Sequence, residues 1–510
     1  MKICLIHPLW QQSFYDNEIS CHWPPLGIAY IASLLEKHGH NVMILDRRSL
    51  IGNVKATSKT LPLLDKMTEG VLKKFSPDIV GITATTPLIT DAYHSAGIVK
   101  EFNLNIPVII GGCHPTAEPK KTLEECPQID AVCIGEGEFT LLDFVNNKPW
   151  KDISGIAYRE NGKVITTPKR DFYPDLDDLP FPARHLLDRN RYFCLDSYLV
   201  RGYLLRGTTM LAARGCPYKC SFCQSGQLAS SGNGNYVRFH SPEYVVEQIK
   251  HLIKDFGIQG ILFAEDVFSI RRENVYNICQ LMIKEGINKK VKWSANLRVD
   301  RVDRELLRTM KSAGCIQVVY GCESGSQRTL DRLKKKTTVQ KNHEAIKMTK
   351  EVGLDVEVNI MVGLPDESEQ DLLETINFLK KARPHRVNRS KLYLLPGTPF
   401  YEELLNSGRI KNLRTWDDLW DIYFATDFTF ANIPSAKFLK LQAKMDREVT
   451  YPINFVYHIR NNLRTAPIVS FRYLLLLMFS LGVLSLPIRL QKVIKKIARF
   501  TRVRYIFVGD

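Results

Sequence analysis

The first 146 or so residues repeat one pattern. A short apolar run ends in a polar or glycine turn, and an amphipathic helical stretch follows. Lys2–Ile6 stops at His7-Pro8, Val42–Leu45 at Asp46, Asp78–Thr83 at Thr85-Thr86-Pro87, Pro107–Ile110 at Gly111-Gly112, and Asp130–Ile134 at Gly135-Glu136-Gly137-Glu138. Continuous apolar runs separated by helices predict buried parallel strands in a doubly wound, Rossmann-like sheet. Ligands of such sheets lie beyond the carboxyl ends of the strands. Glycines at those ends let a large ligand approach the backbone.

The pattern pauses from Asp152 to about Arg201. Gly155–Tyr158 and Lys163–Thr167 flank Glu160-Asn161-Gly162, which reads as a hairpin. The proline-punctuated stretch Tyr173–Pro182 cannot be helix interior. Strand–helix alternation then resumes from Tyr203 to about Leu405, with strands expected at Thr208–Ala213, Gly260–Phe263, Val291–Ala295, Ile316–Tyr320, Val356–Val362 and Arg389–Leu395. Six β/α units fit an open (β/α)6 barrel, whose chemistry collects where strands end.

The first of these units carries the sharpest chemical signal. Arg214–Gly226 reads RGCPYKCSFCQSG and spaces Cys216, Cys220 and Cys223 as C-x3-C-x2-C. Three thiols cannot pair off as disulfides without one left over. They can hold three corners of an iron–sulfur cubane, which normally takes four cysteines, and so leave one iron open. A structural zinc site and three unrelated buried cysteines are the competing readings. Zinc sites usually use two C-x2-C pairs or a Cys/His set, and no second pair stands nearby.

Taken in order, Trp23-Pro-Pro25-Leu-Gly27, Gly111-Gly-Cys-His-Pro-Thr116 and Gly135-Glu-Gly-Glu138 resemble the cobalamin-binding domain of cobalamin-dependent radical S-adenosylmethionine (SAM) enzymes. The region 202–405 resembles the radical SAM core. The implied fold is α/β: a Rossmann-like cobalamin-binding domain at 1–146, a connector at 147–201, a partial (β/α)6 radical SAM barrel at 202–405 and a helical region at 406–510. The resemblance implies that Cys216, Cys220 and Cys223 ligate a 4Fe–4S cluster whose open iron binds SAM and cleaves it to a 5′-deoxyadenosyl radical. It places Phe222, Glu265, Asp266, Arg298, Glu323, Ser324 and Gly363 against SAM. Glu265 and Asp266 fall where the family binds the methionyl ammonium, and Arg298 is a fork donor for its carboxylate. It places His7, Pro25, Gly27, Thr85, Gly111, Gly112, His114, Gly135, Glu136 and Gly137 around cobalamin. The D-x-H-x-x-G motif that supplies an axial histidine elsewhere is absent, and neither His7 nor His22 fits it. No histidine is therefore assigned to cobalt.

The implied reaction is methylation of an unactivated carbon of a hydrophobic small molecule. The competing readings are a ring-forming enzyme like the anaerobic magnesium-protoporphyrin monomethyl ester cyclase, and a non-catalytic corrinoid sensor. A methylthiotransferase is disfavoured, because the N-terminal domain lacks that family's cysteines. An external low-potential donor of flavodoxin or ferredoxin type is implied.

Composition adds a setting. Twelve cysteines in 510 residues is below disulfide-scaffold density. The opening apolar run stops at Pro8, short of a secretory h-region, so a reducing, cytoplasmic location is expected. The net charge of +16 gathers partly at the end, where Ile488–Arg504 holds seven Lys/Arg and no acid. Just before it, Tyr473–Leu486 is 14 apolar or small residues, short of the roughly 20 a spanning helix needs. Together 467–504 reads as a peripheral anchor on the inner face of the membrane. Aromatic residues are not interleaved with the charge, so nucleic acid is not expected.

Overall fold

The computed structural model describes residues 1–9, 23–51, 60–196, 200, 202–411, 413, 415–424 and 428–465. His22 and the proposed anchor at 467–504 lie outside them.

The first sheet is built from β1 (Lys2–His7), β2 (Asn41–Asp46), β3 (Ile79–Thr83), β4 (Val108–Gly111), β5 (Ala131–Cys133), β6 (Ile156–Glu160) and β7 (Lys163–Thr166). Its order is β2-β1-β3-β4-β5-β6-β7. The five leading strands are parallel, and β6 and β7 are antiparallel. The strand centres are fully buried, as in β1 with Ile3, Cys4, Leu5 and Ile6. This explains why they read as unbroken apolar runs. The hairpin expected in the connector forms. Asn161 and Gly162 both take positive φ, 50° and 74°, which closes a two-residue turn. Its first strand then pairs with β5 and extends the first sheet.

The second sheet runs β16-β15-β14-β13-β12-β9-β8. It comprises β8 (Leu195–Asp196), β9 (Leu205–Met210), β12 (Gly260–Phe263), β13 (Lys292–Leu297), β14 (Cys315–Glu323), β15 (Asp355–Val362) and β16 (Arg386–Lys391). Six neighbouring parallel strands in chain order, from β9 to β16, form the open partial barrel. Short antiparallel β8 covers the β9 edge. Two boundaries moved. The first barrel strand ends at Met210, because Ala213–Arg214 (β10) pairs instead with Arg238–Phe239 (β11) in a separate ribbon. The last strand lies at Arg386–Lys391, and Leu392 and Leu394 are buried beyond its end.

The intervening helices carry strong start signals. Ser241, Asp303, Thr338 and Ser368 each accept a backbone N–H at a helix N-terminus, which supports each helix by about 1 kcal/mol. Helices Pro399–Asn406, Asp417–Phe424, Ser435–Met445 and Tyr451–Thr465 complete the described chain. Phe438 is fully buried, and Arg389 holds Asp446 at 2.8 Å. These last helices therefore pack on the barrel. Among the described residues, no helix is long and apolar enough to cross a membrane.

Candidate functional site

The cluster loop leaves β10 through Gly215. Its φ is 86°, and a Cβ there would stand 2.3 Å from the Tyr236 carbonyl oxygen, so only glycine fits. The loop is then stapled at several points. Ser225 donates its backbone N–H to Cys223 Sγ at 3.4 Å and its hydroxyl to the Cys216 carbonyl at 3.3 Å. Ser221 N–H donates to the Leu333 carbonyl at 3.0 Å. The result brings Cys216, Cys220 and Cys223 to the wall of one cavity of about 870 Å³. Burial raises all three thiols, Cys223 to about 12. A bound cation offsets that cost, since the thiolate is the ligating form. Among the described residues, the cavity lining adds no fourth cysteine and no histidine, a donor set that fits a cluster with one open iron better than a structural zinc, which closes with four protein ligands.

The opposite wall comes from the barrel strand ends. Phe222, Glu265, Asp266, Arg298 and Glu323 all line the cavity. Glu265 is the most telling, being 5% exposed and, among the described residues, without a cationic partner. Burial pushes it up to about 8. A buried acid without a partner is costly, and a cationic ligand at this spot removes the cost. The site therefore fits the ammonium-bearing SAM.

Arg298 differs from its expected role. Its guanidinium donates to Asp300 at 2.9 Å and to the Lys335 carbonyl at 2.7 Å, and lies 3.5 Å from the Tyr218 ring centroid. It braces the cavity with most of its donors committed. Ser324 and Gly363 are not among the lining residues. Ser324 is fully buried against Thr375, with their hydroxyls 3.0 Å apart. Gly363 faces Phe438 and donates its N–H to Glu367 at 2.7 Å. Both placements follow from tight packing beyond the strand ends.

Sequence reasoning missed Lys335, Tyr218, Asn296 and Asn359, which also line the cavity. Lys335 reads as one of a solvated lysine run. Yet Lys334 and Lys336 both have left-handed backbone, φ 52° and 54°, and Lys335 between them turns inward. Its Nζ meets Glu323 Oε1 at 2.8 Å. Glu323 itself has φ 62° and sits at a register break between β14 and β15, the kind of bulge that re-aims a side chain at a site. Gly321 leaves room for the pair. A Cβ there would come within 2.5 Å of Glu323 Oε1 and 2.8 Å of Lys335 Nζ.

A second cleft, about 920 Å³, opens over the first sheet. Gly27, Gly111, Gly112, Gly135, Glu136 and Gly137 line it, with Gly81, Thr83, Tyr30, Leu211 and Arg214. Glycine removes side chains from the floor. At Gly137 a Cβ would touch Ile31 at 3.0 Å, and at Gly27 it would meet nothing within 4 Å. A cradle of this kind fits a large ligand such as cobalamin.

Four expected residues lie off this cleft. His7 faces Asp46 at 3.5 Å. Pro25 precedes the helix Leu26–Lys37, two residues before Gly27. Thr85 is exposed, at the start of a short turn. His114 is fully buried, edge-on to Trp416 at 4.5 Å with Nδ1 3.2 Å from Thr86 Oγ1. Burial lowers it to about 3, so it is neutral. The strand ends were located correctly, but the direction of each side chain depends on packing that no local pattern encodes.

Segments flanking the two cavities are bonded to each other. Gln227, just after the cluster loop, donates to the Thr116 carbonyl at 3.2 Å. Burial raises the Cys113 thiol, and the neighbouring Asp266 adds to the shift. Arg214, the residue before Gly215, donates to Glu138 at 2.6 Å and faces Glu136 at 3.3 Å. Arg238 holds Glu136 at 3.0 Å. The expected cobalamin residue Glu136 is thus bound in an ion-pair network that ties the first sheet to the cluster loop.

These two joined sites define a radical SAM enzyme with a corrinoid domain, and comparison with known proteins agrees. The model of the radical SAM superfamily matches residues 210–379, and that of the B12 binding domain matches residues 15–145. The chain is 35% identical over 406 residues to an uncharacterized methyltransferase of Pyrococcus horikoshii, covering 79% of this chain and 83% of that one. It is 30% identical over 415 residues to the anaerobic magnesium-protoporphyrin IX monomethyl ester cyclase of Cereibacter sphaeroides, covering 79% and 64%. The fold matches the radical SAM methyltransferase TsrM of Kitasatospora setae, solved with cobalamin and a 4Fe–4S cluster. That match has a TM-score of 0.64 and 16% identity over 81% of this chain and 79% of that one. The chain belongs to the cobalamin-dependent radical SAM methyltransferase family, and its cofactors are a 4Fe–4S cluster, SAM and cobalamin.

Proposed function

We propose that the enzyme transfers a methyl group to an unactivated carbon of a hydrophobic small molecule. The observation that carries this is how close in the chain and in contacts the two sites lie. Arg214 lines the glycine-floored cleft two residues before Cys216 of the other cavity, and the helix after Gly111-Gly112 meets Gln227, just beyond the cysteines, through the Thr116 carbonyl. When bound, SAM and cobalamin supply a hydrogen-abstracting radical and the methyl group.

The chain's own part is to hold and orient these groups. In this reading Cys216, Cys220 and Cys223 hold the cluster. Glu265 and Asp266 take the SAM ammonium, and Phe222 packs on its adenine side. The Glu323–Lys335 pair fixes the facing wall, and its buried lysine offers further donors to an anion. Gly27, Gly111, Gly112, Gly135 and Gly137 leave the floor clear for cobalamin. Closing the space between the two cavities excludes water from a reactive radical. The domain reading that accompanies this is a corrinoid unit at 1–146, a connector at 147–201 and a radical SAM core at 202–405. Because β6 pairs with β5, the connector hairpin belongs physically with the first unit.

A low-potential one-electron donor is part of this reading, because reductive cleavage of SAM consumes an electron. The apolar and basic stretch 467–504 supports contact with an anionic membrane surface. That contact in turn favours a lipid, isoprenoid or tetrapyrrole substrate.

The test is anaerobic reconstitution with iron, sulfide and cobalamin, followed by incubation with cell extract and SAM bearing a labelled methyl group. A methyl-labelled product by mass spectrometry is expected. The 30% identity to the cyclase keeps a ring-forming outcome as the second reading. An oxidised or cyclised product without label selects it. No SAM cleavage at all would return the chain to a sensor role.

A further inference from the structure

The electron required by the proposed reaction has to enter through the surface, and part of the cluster loop lies there. Pro217 and Lys219, between the ligating Cys216 and Cys220, are exposed. Lys219 lays its stem along the loop, so that a Cβ on Gly226 would sit 3.8 Å from its Cγ. On one flank, exposed Arg301 donates its Nε–H to the Tyr218 hydroxyl at 2.8 Å. On the other, the segment that accepts Ser221 N–H through the Leu333 carbonyl continues into exposed Lys334 and Lys336. Four cations thus surround the outer face of the loop that holds the cluster.

Their charge is only partly offset, with Asp300 also acting on Arg301. Asp300 is taken by Arg298, Asp303 and Glu305 by Arg272, Asp366 and Glu403 by Arg332, and Glu323 by Lys335. Among the described residues, none of the four cations has an ion-pair partner of its own. A lysine run at a protein surface is usually a solvated face. This one is unusual in its placement. Left-handed backbone at both Lys334 and Lys336 sends the middle lysine into the cavity and its two neighbours outward beside the cluster loop.

The geometry points to this face, Lys219 with Arg301, Lys334 and Lys336, as the docking surface for a small acidic one-electron carrier protein of the flavodoxin class. This rests on the proposed function, which needs such a donor. The carrier is oxidised by one electron and the cluster reduced by that electron. No bond forms or breaks and no proton is transferred. A compact charged patch suits such a partner, because redox encounters are small, weak and steered by charge. The donor then meets the cluster across the loop itself, with Tyr218 and the cysteine backbone between them.

The test uses the full-length, cluster-loaded protein and the triple charge reversal K219E/K334E/K336E. These side chains ligate nothing and line neither cavity. Cluster reduction is followed by its visible absorbance, first with reduced flavodoxin and then with reduced methyl viologen, a small cation. At low salt the variant is expected to accept electrons from flavodoxin about tenfold more slowly or worse. The difference should shrink in roughly 0.5 M salt as screening shortens the reach of the charges. With methyl viologen the rate should not fall. An unchanged flavodoxin rate overturns the proposal, and so does an equal fall with both reductants, which would mean a damaged loop. SAM cleavage by the viologen-reduced wild type reads the proposed reaction separately, so the two can fail independently.

Discussion

The two cavities have nearly the same size, about 920 and 870 Å³, and opposite construction. The cleft over the first sheet is made by taking side chains away. Its floor is glycine and its walls are largely apolar. The cavity at the barrel mouth is made by adding charge where water is scarce, with three thiols, an unpartnered glutamate and a buried lysine–glutamate pair. A large, mostly non-ionic ligand needs space and backbone contact. A small zwitterionic cosubstrate needs fixed counter-charges. The Arg214–Glu136–Glu138–Arg238 network joins the two, so that the residue anchoring one cavity's rim precedes the first ligand of the other.

The contrast can be broken in stages. The largest effect is expected from Cys223→Ala. Cluster iron and SAM cleavage should fall to the detection limit, while cobalamin still co-purifies, as measured by iron content and the corrinoid absorption bands. Loss of cobalamin as well would mean that the two cavities do not form independently.

Next is Arg214→Met, which leaves Glu138 buried without its partner. Breaking a buried pair from one side costs about 3 kcal/mol or more, read as a lower midpoint in urea denaturation. Because Arg214 serves both cavities, cluster content and cobalamin affinity should fall together in this variant and in no other of the series.

Glu265→Gln should act in opposite directions on the empty and the loaded protein. The empty site holds the carboxyl neutral up to about pH 8, against 4.5 for an unperturbed group. Between those values the unfolded chain loses a proton that the folded chain keeps. The wild type is therefore destabilised as pH rises, by at most about 1.4 kcal/mol per unit. The variant escapes that loss. Its thermal midpoint without ligand should gain on the wild type from pH 5 to pH 8, while its SAM affinity falls. An advantage that is flat with pH would show that Glu265 is not the titrating group.

The smallest effect is expected from Gly27→Leu. A Cβ at Gly27 meets open space, so folding should be untouched. The added side chain instead enters the cleft. Overfilling a packed site costs about 1–3 kcal/mol, so cobalamin should bind about tenfold more weakly, by equilibrium titration, with cluster content unchanged.

Much of this was legible along the chain. Parallel strands buried on both faces must be apolar throughout and must be linked by helices. The run-and-turn pattern therefore located every parallel strand of the two sheets to within a few residues, and missed only short antiparallel β8 among their described strands. It also located the strand ends where sites form. The cysteine spacing singled out the loop whose three thiols line the barrel-mouth cavity. Side-chain direction was not legible. Thr83 faces the cleft and Thr85 faces solvent two residues on. Ser324 turns into the core beside Glu323, which turns into the cavity.

What the amino-acid order determined by itself was therefore the periodic and the local: strand and helix alternation, the hairpin turn at Asn161-Gly162, and the spacing of Cys216, Cys220 and Cys223. These depend on residues within a turn or two of one another. Tertiary structure alone decided that Lys335 joins the cluster cavity, that Arg298 braces it, that His114 packs on Trp416, and that Glu136 serves the joint between the two sites. Each of those depends on a contact across tens to hundreds of residues. Such contacts are set by how whole sheets pack, and no local preference distinguishes a lysine that turns inward from its neighbours that do not.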